Sequence, residues 1–106
     1  MKIITSNLND HLIAELELLA SVQEDLKKLY TEVKDSYYQS EYAEIKQLLL
    51  EKTHNNWIEY KNIKSELDAS EYLGLSEYKL VKARSQIESI ELYFDYLLKI
   101  KATLNR

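Results

Sequence analysis

Two residue pairs in this 106-residue chain have the types and spacing that chemistry uses. Glu51 and His54 form a Glu-x-x-His step. On a helix that spacing puts a carboxylate and an imidazole on one face, and di-iron carboxylate bundles use two such steps plus two further glutamates. Only one copy is present, so the pair reads as a surface Glu and a His at an irregular point of a helix. Asp10 and His11 are the second pair. With a serine they would suggest nucleophilic catalysis, which also wants a strained elbow and a Gly-rich oxyanion loop. A chain with one glycine offers neither. The lack of cysteine removes thiolate nucleophiles, thiolate metal sites and disulfides. No catalytic residue, metal or cofactor is therefore expected, and the chain reads as a non-enzyme.

Binding chemistry has better candidates. Residues 66–85 could form a helix-turn-helix, with Ala69, Ser70, Leu73, Gly74, Leu75, Ser76, Leu80 and Ala83 at workable positions. Lys79, Lys82 and Arg84 would then be the DNA-facing cations. A plain helix–helix corner needs the same glycine, apolar residues and serine. The length of the following helix, Glu77 at its start and the acidic balance favour the plain corner. Nine tyrosines and a tryptophan are many for so short a chain. Tyr30, Tyr37, Tyr38 and Tyr42 cluster where a first helix should meet a second. Tyrosine offers apolar area with a polar tip and is enriched at protein interfaces. These four are the candidate partner-binding residues.

The elements that position these groups follow from periodicity. With no proline and a single glycine, the turn chemistry of a β-rich fold is missing. Leu8, Leu12, Glu15, Leu19, Val22, Leu26, Leu29 and Val33 alternate by four and three, with one polar intruder. The spacing predicts a helix over 7–35, capped by Ser6 or Asn7, after a short arm at 1–5. A second helix is expected over 41–70, with Ser40 as its cap. Its apolar positions are Tyr42, Ile45, Leu48, Leu49, Trp57, Tyr60, Ile63 and Leu67. Thr53, His54, Asn55 and Asn56 are poor helix formers in a row, so a break or kink is possible at 53–56. Gly74 suits a left-handed helix C-terminus and Ser76 a cap. The third helix, 76–104, carries the most regular seam: Leu80, Ala83, Ile87, Ile90, Phe94, Leu97, Lys101 and Leu104. That seam is the expected core, or the strut of a homodimer.

The fold class is thus all-α: a single elongated up-down-up bundle of three long helices spanning 1–106. The formal net charge of −4 divides unevenly. Residues 1–75 carry −6 and residues 76–106 carry +2. The acids are interleaved with lysines, as on a solvated helix surface rather than a DNA mimic. Neither a signal peptide nor a membrane span is recognisable, so a cytoplasmic location is expected, with no membrane partner. The leading expectation is a small helical protein that acts by binding another protein, as a regulator, inhibitor or adaptor. A homodimer is possible. The alternative is a dimeric helix-turn-helix regulator built on residues 66–85; nucleic acid is otherwise not an expected partner.

Overall fold

The computed structural model describes residues 2–104, with side chains from residue 7 onward. Three α-helices follow one another: α1 (Lys2–Ser36), α2 (Ala43–Asp68) and α3 (Tyr78–Leu104). Single 3-10 turns at Tyr37–Gln39 and Ser70–Tyr72 lead out of α1 and α2. The up-down-up all-α bundle is therefore present. Its Cα extents are 61 × 21 × 15 Å and its radius of gyration is 17.2 Å. A compact chain of this length would have a radius near about 13 Å. The bundle is a long, flat rod that buries little per residue.

α3 lies between the other two helices. Against α1 it runs parallel. Glu15 meets Arg84 and Glu32 meets Lys101, so the two helices keep one constant offset along their length. The α3 seam supplies this interface: Leu80, Ala83, Ile87, Ile90 and Leu97 are buried, while Phe94 and Leu104 are half-buried. It closes within one chain. The α1 stripe faces it as the periodicity predicts, and the polar intruder Glu15 sits in that stripe, 3.5 Å from Arg84.

Against α2, α3 runs antiparallel, with Asp68 beside Ser85, Ser65 beside Gln86 and His54 beside Tyr93. Near the Gly74 corner this interface is built from small residues. Ser65, Ala69, Ser85 and Ser89 are buried. Small side chains let two helices approach closely, and their hydroxyls are satisfied locally. Ser65 Oγ donates to the Asn62 carbonyl at 2.8 Å and accepts from Gln86 at 3.1 Å. The large apolar residues gather at the other end. Leu26, Leu29, Val33, Leu50, Ile90, Tyr93 and Leu97 form the main core there, with Trp57, Phe94 and Tyr37 packed against it.

Several expectations are corrected. The first helix begins at Lys2, so residues 2–5 belong to it and Ser6 and Asn7 lie inside it rather than at its cap. Nothing in Ile3-Ile4-Thr5 stops a helix, and Met1 lies outside the described residues. Of the two forms open to the second helix, the continuous one is present, and α2 runs unbroken through 53–56. Thr53 turns its hydroxyl back onto the Leu49 carbonyl at 2.8 Å, which accommodates a poor helix former without a break. Ser40 does not cap α2; its hydroxyl donates to the Tyr37 carbonyl and closes the 3-10 turn. Gly74 does adopt positive φ, at 80°. It does so as the third residue of a type II turn, since Leu73 is at φ −54°, ψ 128° and the Leu75 N–H bonds the Tyr72 carbonyl. α3 starts at Tyr78, two residues beyond Ser76.

The largest correction concerns which face of α2 is inside. The packed face is Leu50, His54, Trp57, Lys61, Ser65 and Asp68, and it is mostly polar. Of the eight apolar positions read from the sequence, only Trp57 lies on it. Tyr42, Ile45, Leu48, Leu49, Tyr60, Ile63 and Leu67 are all exposed.

Candidate protein-binding surface

The two pairs that suggested chemistry do not form sites. Glu51 turns away from His54 to pair with Lys34 of α1. Asp10 and His11 are both exposed on α1. Among the described residues, no group of three or more His, Cys, Asp or Glu side chains stands close enough together to hold a metal.

His54 is instead the hub of an aromatic stack where all three helices meet. Its ring lies on Tyr30 of α1 at 3.9 Å between centroids. Its Nδ1 shares a hydrogen bond of 3.0 Å with the Tyr93 hydroxyl of α3. Tyr93 in turn stacks on Trp57 at 4.2 Å. The buried Lys61 amine sits 5.2 Å above the indole. Burial lowers the His54 pKa below its ordinary value, and the Lys61 charge lowers it further. Burial also lowers the Lys61 pKa and raises those of Tyr30 and Tyr93. Burial in the stack thus disfavours the imidazolium and the phenolates. Every ring has a neighbour, so it ties the helices together, and Trp57 and Tyr93 also border a hollow of about 240 Å³ with Tyr60, Lys64, Ser89 and Leu92. The spacing of Leu50, His54, Trp57 and Lys61 carried the signal; a reading that counts only apolar residues passes over His54 and Lys61.

The four tyrosines proposed as a partner surface separate into two pairs. Tyr30 is in the stack, and Tyr37 is half-buried against the core. Tyr38 and Tyr42 are 69% and 68% exposed. Both sit at the α1–α2 corner, and Tyr38 borders a hollow of about 700 Å³ with Asp35, Ser36, Gln39, Ser40 and Leu104. Tyr42 has φ 61° and ψ 35°, the left-handed region. It is the residue before α2, and the chain uses that conformation to turn from the 3-10 turn into the helix, with the Lys46 N–H bonding its carbonyl at 3.0 Å. For a residue with a Cβ this costs about 1–2 kcal/mol.

At the opposite corner, α2 and α3 form an antiparallel hairpin. A DNA-reading helix-turn-helix crosses at roughly 90–120° instead. Lys82 lies 3.9 Å from Glu66 and over the Tyr78 ring, Arg84 pairs with Glu15, and Lys79 is exposed. Two of the three cations thus face carboxylates.

Comparison with protein-family models, curated proteins and solved structures returns no match. Among the described residues no helix is long and apolar enough to cross a membrane. The arrangement itself is what bears on function: a closed core, a strained aromatic corner and an apolar outer face on α2.

Proposed function

We propose that the protein is a non-enzymatic binding module that engages another protein through the α1–α2 corner, with Tyr38 and Tyr42 as anchors. One observation carries this reading. Tyr42 holds a left-handed backbone while its ring is two-thirds exposed. A glycine or asparagine would make the same turn at lower cost. The ring gains little inside the chain from being there, and strain retained without local benefit is the mark of a site shaped for something else. Asp35, Glu41 and Glu44 surround the two rings in the chain. The matching partner surface is an apolar cleft with a basic rim.

The test is affinity capture on the full chain, comparing wild type with Tyr38→Ala and Tyr42→Ala. Both rings are exposed, so helicity should be unchanged while the captured partner is lost. Capture that is indifferent to both substitutions sinks the reading. The alternative, DNA reading through residues 66–85, is disfavoured by the antiparallel α2–α3 pairing and by the engagement of Lys82 and Arg84 with carboxylates.

A further inference from the structure

We infer that the protein pairs with a second copy of itself through the outer face of α2, antiparallel, about a two-fold axis at Asn56. The face is the one opposite α3. Ile45, Leu49, Tyr60, Ile63 and Leu67 form its apolar stripe, each between 57% and 71% exposed. Single exposed leucines need no explanation, but five large apolar side chains on one face of one helix do.

The stripe's own order selects its occupant. Centred on Asn56, its four aliphatic positions mirror one another, Ile45 with Leu67 and Leu49 with Ile63. In an antiparallel pair, Ile45 meets Leu67 of the second copy and Leu49 meets Ile63. Each contact occurs twice, as a two-fold interface requires. At the axis Asn56 meets Asn56, and a carboxamide carries both donors and an acceptor, so two of them can bond each other. A single polar residue of this kind in an apolar seam fixes register.

Charge makes the same choice. Lys52 and Glu59 lie on one flank of the stripe and are both exposed. Among the described residues neither is held in an ion pair. In the antiparallel arrangement each Lys52 lies beside the Glu59 of the other copy. In a parallel arrangement the flank that carries Lys52 and Glu59 would face the opposite flank of the other copy, and this pair would not form. The repeat also fits straight helices. Ile45, Asn56 and Leu67 are spaced by eleven residues, as are Leu49 and Tyr60. Eleven residues make three turns at 3.67 residues each, close to the 3.6 of an unsupercoiled helix. The seam from 45 to 67 is about 33 Å long at 1.5 Å per residue. Tyr38 and Tyr42 fall outside it, so the dimer leaves the proposed partner corner at each of its two ends.

The experiment is sedimentation analysis of the full chain from about 1 µM to about 300 µM, a range that brackets weak and moderate self-association. Wild type should pass from monomer to dimer. Lys52→Glu and Glu59→Lys should each raise the dissociation constant by about tenfold, because each creates two like-charge contacts. The double variant should restore it. Asn56→Cys, the sole cysteine in such a chain, should cross-link to itself on mild oxidation, whereas Leu49→Cys should cross-link only when mixed with Ile63→Cys. A protein that stays monomeric throughout, or a dimer blind to the charge reversals and silent at Asn56→Cys, overturns the inference. Because Tyr38 and Tyr42 are untouched in these variants, that outcome would leave the binding-module reading standing.

Discussion

At the scale of single residues, Tyr42 sets stability against function. Replacing it by glycine relieves the left-handed backbone but also frees the unfolded chain, so the net gain is smaller than the strain itself. Tyr42→Gly should stabilise the fold by about 0.5–1 kcal/mol in denaturant unfolding while abolishing partner capture. Gly74 is the mirror case. A Cβ there would touch nothing within 4 Å, so Gly74→Ala isolates the conformational cost at φ 80°. It should lower stability by about 1 kcal/mol, and Gly74→Asn by less. His54 gives a pH signature. Its folded pKa lies below its unfolded value because burial and Lys61 disfavour the imidazolium. Below about pH 6.5 the unfolded chain therefore takes up the proton first. Stability should be level above that pH and fall as pH drops through the window between the unfolded and folded values. Asp68, whose pKa is lowered by its bonds to Lys64 and Ser85, adds its own loss at more acid pH. His54→Gln should remove the upper part of the slope; an unchanged profile would show that the stack does not discriminate between charge states.

At the scale of elements, α1 and α3 were legible in the sequence because each has one dominant apolar stripe and packs by it. The seam positions from Leu80 to Leu97 and from Leu19 to Val33 line the interface as their spacing demands. α2 was legible as a helix but not in its orientation. Hydrophobic periodicity locates the most apolar face and equates it with the inside. In α2 the inside face uses Ser65, Lys61 and His54, whose burial depends on hydrogen bonds and stacking that no single-residue scale registers. The small residues of α3, Ser85 and Ser89, are the other half of that signal. They fall between the seam positions and give α3 its second buried face. Ser85→Leu tests this, because Ser85 is buried and bonded to Asp68 of α2. It makes α3 more apolar yet overfills the close approach to α2, and should destabilise by about 1–3 kcal/mol in urea unfolding. Tolerance of the leucine would mean that the helices are not in close contact there. At the tyrosine corner, position along the chain was enough to gather four rings. Their division into two inside and two outside needed the backbone path around Tyr42.

At the scale of the whole molecule, the rod is held by its last helix. α3 has a neighbour on either side, whereas α1 and α2 touch mainly near their shared corner, through Lys34, Glu51, Tyr30 and His54. Native-state hydrogen exchange should therefore find the slowest amides in α3, around Ile90 to Leu97, and faster ones along α2. Slowest exchange in α1 or α2 would contradict the central place of α3. Leu97 is fully buried, and Leu97→Ala should cost about 2–5 kcal/mol. The parallel pairing of α1 with α3 has a kinetic side. Glu32 and Lys101 are 69 residues apart in sequence, and the rest of that interface has the same separation. The α2–α3 hairpin closes a much shorter loop. Relative to a loop of about 20 residues, closing one of about 70 adds about 1 kcal/mol of chain entropy. Loop closure therefore favours α2 and α3 folding back on one another before α1 docks, an order that φ-values at the two interfaces would check. In that order α1, which is made before α3, waits for it before it can bury its stripe.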